Sequence, residues 1–166
     1  SCSDLLENFG GHTYAAGLSL KEENLDAFTQ RFLKLAADEI IPEQMTPQID
    51  IDAVLDLQDI NAKFMSELKK MNPFGPDNQK PVFCSLGVKD YGTSKLVGKD
   101  LEHIKLELID DKSNTPIHGI AFGMHQHNTH IKNMKPFNIC YTIEENTYNG
   151  NTSLQLMVKD IKENDI

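Results

Sequence analysis

Gly10-Gly11-His12 joins two residues without side-chain bulk to an imidazole. Adjacent glycines let backbone N–H groups approach an anion, and the histidine can donate a hydrogen bond to a phosphate oxygen. The same triplet also reads as a glycine cap closing a helix, followed by a surface histidine, which is the commoner meaning of the pattern. Lys95, Lys99, His103 and Lys105 cluster in one short stretch, with Tyr91 before them and Tyr148 further on. Lysines that meet phosphates and aromatics that stack on bases are what a single-stranded nucleic acid requires. Glu102 and Glu107 dilute that field, and an ordinary polar face with turn aromatics is the other reading. Asp50 and Asp52 would share one face of a strand, yet no histidine flanks them, and a solvated strand face is the simpler account. His125, His127 and His130 are of a type that binds transition metals. A zinc site needs ligands that converge, and with no Cys, Asp or Glu among the three, the segment reads as an exposed loop. We assign no metal site in this sequence.

The charge balance limits what these groups can do. The net charge is −9, which argues against indiscriminate nucleic-acid binding, because phosphate affinity comes largely from Lys and Arg releasing counterions. The acidity is uneven. Residues 1–81 hold seven basic and fourteen acidic side chains, and residues 82–166 hold nine and eleven. Arg31 is the only arginine, so a phosphate grip here rests on lysine, backbone N–H groups and polar side chains. Cys2, Cys84 and Cys140 form no CxxC and are odd in number, which points to cytosolic thiols rather than a disulfide framework. No apolar run approaches the roughly 18 residues of a membrane span, and no signal peptide is visible; the expected location is cytoplasmic. The chain opens in what reads as helix, without an initiator Met, as a segment of a longer protein would.

The elements that must position these groups follow from periodicity. Residues 3–9 read as the last turns of a helix ended by Gly10-Gly11, and Tyr14 to Leu20 as a short strand of small residues. Ser19 and Glu22 have capping-box spacing. The helix after them carries Leu25, Phe28, Phe32, Leu35 and Ala36 at helical intervals and stops before Pro42. Such a piece of about 45 residues is too small to bury a full core. Ile49, Ile51, Ala53 and Leu55 alternate as in a strand, Asp59 caps a helix carrying Ile60, Phe64, Leu68 and Met71, and Asn72-Pro73 ends it. Strands then dominate: 82–91, 94–98, 102–109, 115–122, 137–146 and 153–161, with an interruption near 124–135. From His103 to Leu108, Ile104, Leu106 and Leu108 alternate with polar residues, the pattern of a half-buried strand. Five or six such strands suggest a small closed or partly open barrel. Phe28, Phe32, Phe64, Phe83, Phe122 and Phe137 are the expected core aromatics, and Phe74 the plug of a domain junction.

Longer strings of residues add a resemblance. Gly10-Gly11-His12-x-x-Ala15-Ala16-Gly17 resembles the glycine-histidine motif of the domain that accompanies DHH-type phosphoesterases. Leu68-x-x-Met71-Asn72-Pro73-Phe74-Gly75-x-x-Asn78-x-x-Pro81-Val82-Phe83 resembles the entry to the oligonucleotide-binding (OB) domain of RecJ-type exonucleases. Val97-Gly98-Lys99-Asp100-x-x-His103-Ile104-Lys105-Leu106, Ile120-Ala121-Phe122-Gly123, and Asn146-x-Tyr148-x-Gly150 with Leu154-Gln155-Leu156 resemble later parts of that domain, in the same order.

The resemblance implies an α+β chain. Residues 1–46 would be the C-terminal part of a DHH-associated α/β domain, and 47–166 a five- to six-stranded OB-fold β-barrel. It implies a C-terminal, substrate-binding part of a single-stranded-DNA-specific 5′→3′ exonuclease acting in DNA repair and recombination. Gly10, Gly11 and His12 would contact substrate phosphate; Lys95, Lys99, His103, Lys105 and Tyr148 would meet the strand. Metal-dependent phosphodiester hydrolysis needs several carboxylates and histidines around divalent ions. In the family these ions, manganese or magnesium, are held by an N-terminal domain with an Asp-His-His signature, and no such triplet occurs here. This polypeptide is therefore expected to bind no metal and to be inactive alone, with single-stranded DNA as partner and a single-strand-binding protein as a second one. Two alternatives remain open: a structural clamp or protein-docking module with little DNA affinity, and a fragment of a short-oligonucleotide or cyclic-dinucleotide phosphodiesterase.

Overall fold

The computed structural model describes residues 2–12, 15–113, 115–148 and 150–164. The chain divides into two compact units, Ser1–Ile49 and Asp50–Ile166. No helix among the described residues is long and apolar enough to cross a membrane.

The first unit begins with a single 3-10 turn, Ser3–Leu5, and then extends. Strand β1 (Asn8–His12) pairs antiparallel with β2 (Ala15–Ser19), placing Gly10 opposite Gly17 and Gly11 opposite Ala16. The helix expected over residues 3–9 is thus a strand from Asn8 onward, and the glycine pair lies inside it rather than capping anything. The physical reason is cooperativity: two turns give too few hydrogen bonds to offset helix nucleation, while an adjacent strand of small residues offers a full ladder. Thr13 and Tyr14 lie outside the described residues. Helix α1 (Leu25–Glu39) follows a 3-10 turn at Glu22–Asn24. Ser19 belongs to β2, so the capping box expected with Glu22 is absent. Asn24 Nδ2 instead donates to the Leu5 carbonyl at 3.2 Å. No residue of α1 is buried, and Phe32, expected in a core, is 54% exposed.

The second unit holds β3 (Ala53–Val54), α2 (Ala62–Lys69), β4 (Phe83–Asp90), β5 (Lys95–Val97), β6 (His103–Ile109), β7 (Ile117–Ala121), α3 (Asn128–Lys132), β8 (Phe137–Tyr148) and β9 (Asn151–Glu163). Every strand expected beyond residue 81 is present, within a few residues of its expected bounds. The run Ile49–Leu55 contributes only Ala53–Val54, parallel to β4. Asp52 stands aside from that ladder: its backbone N–H donates to the Val82 carbonyl and its carboxylate accepts from the Val82 N–H. The cap of α2 is Asn61, whose Oδ1 accepts from the N–H groups of Lys63 and Phe64, and not Asp59, which lies in a preceding 3-10 turn.

The pairings run β4–β8–β9–β7–β6, and β6 returns to β4, so five strands form a ring, with β3 and β5 appended. All ring pairs are antiparallel except β7 with β9. Numbered along the chain, the ring order is first, second, third, fifth, fourth, the Greek-key closure of an OB domain. Closure requires β4 to serve two partners, β8 up to Val88 and β6 from Lys89. The switch occurs at a register shift between Ser85 and Val88, where Gly87 adopts φ 65° and donates its N–H to Asn138 Oδ1. A bulge bends a strand, and only glycine takes that φ without cost.

The ring interior is filled by Val88, Ile104, Leu106, Leu108, Phe137 and Leu156, all fully buried. Helix α2 adds Leu68 to this core and sets Phe64 edge-on to Phe83 at 5.5 Å; Phe74 also packs here. Ile131 of α3 is buried in the same cluster, so the segment expected as an exposed loop is a short helix with one core residue. Ser85 donates its one hydroxyl proton to the Leu55 carbonyl at 2.7 Å, so the buried Tyr141 hydroxyl, 2.7 Å from Ser85 Oγ, is the donor of that bond.

Candidate nucleic-acid interface

Alternation decides what the ring shows outward. On β6, Ile104, Leu106 and Leu108 point inward, so His103, Lys105 and Glu107 face out. Register carries this across the sheet. Lys105 sits opposite Lys95 on β5 and Ile120 on β7, and Ile120 lies beside Met157 on β9. Val97 lies opposite His103. On the other side of the lysine row, Glu107 faces His118, with Tyr91, half-exposed, reaching the Glu107 carbonyl through its N–H. The outer face of β5, β6 and β7 is thus striped: a carboxylate row, a lysine row, and a row holding His103.

Lys95, Lys99 and Lys105 are exposed and carry no ion pair among the described residues. Seven other basic side chains, Lys69, Lys70, Lys80, Lys89, Lys112, Lys132 and Arg31, are each paired with a carboxylate. Lysines left unpaired on a sheet face are available to phosphate. Lys95, His103 and Lys105 come together by register, and Lys99 lies in the loop that joins β5 to β6. Tyr148 ends β8, and its side chain lies outside the described part.

His103 is not a free donor. Its Nδ1 accepts the Gly123 N–H at 3.0 Å and its Nε2 lies 3.3 Å from Glu102 Oε1. Backbone N–H groups, its own and that of Asp100, hold the Glu102 carboxyl below the usual carboxylate range, against partial desolvation that pushes it up. The His103 ring meets Phe122 edge-on, with centroids 4.9 Å apart and planes at 79°. Phe122, expected in the core, is 54% exposed. The signal that could have placed it is parity. Gly119 and Ala121 are the small inward residues of β7, so Ile120 and Phe122 fall outside.

Elsewhere the residues with chemical potential are tied up differently. Gly10, Gly11 and His12 are exposed on β1. A Cβ on Gly11 would stand 2.8 Å from the Ala15 carbonyl oxygen and from Ala16 Cβ, so close approach of β2 already requires glycine there. His127 and His130 converge on one carboxylate, Glu163, at 2.7 and 3.2 Å, and His130 Nε2 lies 3.1 Å from the Pro136 carbonyl. That partner, more than thirty residues away in the chain, is beyond local pattern. Among the described residues no group of three or more His, Cys, Asp or Glu is placed to hold a metal ion.

Comparison with known proteins agrees with the ring. Residues 51–160 match the family described as the RecJ OB domain. The single-stranded-DNA-specific exonuclease RecJ of Bacillus subtilis (strain 168) is 29% identical over 160 residues, covering 96% of this chain and 20% of that protein. Its namesake in Salmonella typhimurium (strain LT2) is 28% identical over 158 residues, covering 95% of this chain and 27% of that protein. Among solved structures, RecJ from Thermus thermophilus in complex with Mg2+ aligns over the whole chain and 24% of its own, with a TM-score of 0.75 at 21% identity. This chain therefore spans about a fifth to a quarter of the length of these relatives. An OB ring closed through the Gly87 bulge and a family match over residues 51–160 lead to one assignment: the chain belongs to the RecJ OB domain family.

Proposed function

We propose that this chain is the C-terminal, substrate-binding part of a single-stranded-DNA-specific 5′→3′ exonuclease that works in DNA repair and recombination in the cytoplasm. The observation that carries the reading is the row of unpaired lysines on the outer face of β5 and β6, the part of an OB domain that meets oligonucleotides. Lys95, Lys99 and Lys105 track the backbone and release counterions, while the surrounding net charge of −9 keeps the affinity modest and salt-sensitive. Hydrolysis, with its magnesium or manganese, belongs to the part of the enzyme outside this chain. The Asp-His-His signature that would hold such ions does not occur in this sequence, and the polypeptide alone is expected to be inactive.

Residues 1–46 complete this reading as the end of the DHH-associated domain. An open groove of about 650 Å³ lies between the hairpin and α1, lined by Phe9, Leu18, Phe28, Phe32 and Leu35. The Gly10-Gly11 edge and His12 then contact a substrate phosphate. His12→Ala in the full enzyme lowers turnover while leaving the fold intact, and unchanged turnover would reject that role.

The test of the whole reading is fluorescence anisotropy with labelled single-stranded and duplex oligonucleotides at two salt concentrations. Three phosphate contacts predict a log K against log salt slope of about −2 for single strands, and Lys95→Ala with Lys105→Ala flattens it by about 1.4. Flat titrations would instead favour the docking role, with a single-strand-binding protein as partner, for which the acidic net charge speaks.

A further inference from the structure

We propose that Phe122 is a base-stacking station of this face, set in place by His103; the inference rests on the single-strand reading above and names the residue that would meet a base. Single exposed apolar residues are ordinary on protein surfaces. Two features set Phe122 apart. It stands one register step beyond the Ile104–Ala121 pair, beside His103 and two strand positions from the lysine row. That is about 6.6 Å along the strand, close enough for one nucleotide to use the ring for its base and a lysine for its phosphate. The ring is also pre-set. His103 is pinned at both nitrogens, by the Gly123 N–H and by the Glu102 carboxylate, and its edge-to-face contact holds Phe122 with little freedom left to lose.

The occupant is an unpaired base. Every base has a π-face, so stacking tolerates sequence, but in a duplex those faces are already covered by neighbouring base pairs. Phe122 therefore adds strand selectivity that lysines alone do not supply. His103 acts here as a positioning residue: with both nitrogens engaged it serves the ring and not a phosphate. Glu102 lies on the same rim and is tolerated because its carboxylate is turned onto His103 and the Asp100 N–H.

The experiment uses the whole chain with two labelled strands of equal length, one carrying bases and one abasic. Phe122→Ala is expected to weaken binding of the base-bearing strand by roughly 5- to 150-fold and leave the abasic strand unchanged. Lys95→Ala with Lys105→Ala should weaken both strands alike. His103→Ala should lose part of the discrimination between the two strands with an unchanged unfolding midpoint. The chain contains no tryptophan, so Phe122→Trp introduces a single indole whose fluorescence is expected to quench on adding the base-bearing strand only. If the lysine variants weaken binding while Phe122→Ala does not, the station is overturned and the backbone-tracking reading stands. Equal losses on both strands for Phe122→Ala, or no quenching in Phe122→Trp, also overturn it. A chain that binds neither strand overturns both readings.

Discussion

In the strand ring Phe137 has no exposed surface; in the hairpin-and-helix unit Phe9 is 66% exposed. The difference is one of closure. Five strands that return on themselves create an inside, and each alternate side chain is removed from water whatever lies beyond the sheet. Two strands and one amphipathic helix make only a cleft, and a lone hairpin of this kind is marginal in water. The same contrast separates the two candidate sites. The lysine face is mounted on a filled core, which holds its rows at fixed spacing, whereas the Gly10-Gly11-His12 edge stands on a hairpin whose apolar side is open.

The largest effect that could break this comparison is a core truncation. Phe137→Ala should cost about 3–5 kcal/mol by denaturant unfolding, and Phe32→Ala less than about 1 kcal/mol. Equal costs would mean that the first unit has an interior after all. Next comes backbone proximity. Gly11→Val places atoms 2.8 Å from β2 and should cost roughly 1–3 kcal/mol locally, read as lost amide protection across β1 and β2. Gly10→Ala, with nothing within 4 Å of its new Cβ, should be silent.

Tyr141→Phe should cost about 1 kcal/mol, because Ser85 keeps its bond to Leu55. It should also change the alkaline limb of stability. Burial pushes the Tyr141 phenol well above its ordinary value. The folded chain thus holds that proton more tightly than the unfolded one. The stabilisation is intact below about pH 10, the unfolded value, and is lost as pH rises beyond it. The variant should show a shallower decline there; an unchanged slope would contradict the buried hydroxyl. The smallest effect is at the surface of the first unit. Arg31→Ala removes a 2.6 Å pair with Asp4 that water already screens, and no shift in midpoint is expected.

Much of the second unit is legible in the sequence because its strands are amphipathic. Ile104, Leu106 and Leu108 against Lys105 and Glu107 declare a strand and its two faces from spacing alone. Turn residues such as Gly92 and Gly150 mark where strands stop. Residues 3–9 of the first unit are not legible in this way: their few apolar side chains fit a helix and a strand equally well, and pairing with β2 decides the matter. The same limit hides Glu163 from His127 and His130, and Asn61 as the true cap of α2. The lysine cluster is visible in the sequence. Its freedom from ion pairs is not, since every carboxylate that quenches another lysine, apart from Glu67, is remote in the chain.

What the amino-acid order determined by itself was parity and punctuation: which side chains share a face, where strands end, and how the charges are distributed. Which face became the interior was decided only when β6 returned to β4. Parity is a property of neighbouring residues, but burial depends on what comes to lie across from them. That is why Phe122, one position past an inward alanine, lies on the outer side beside His103 instead of in the core.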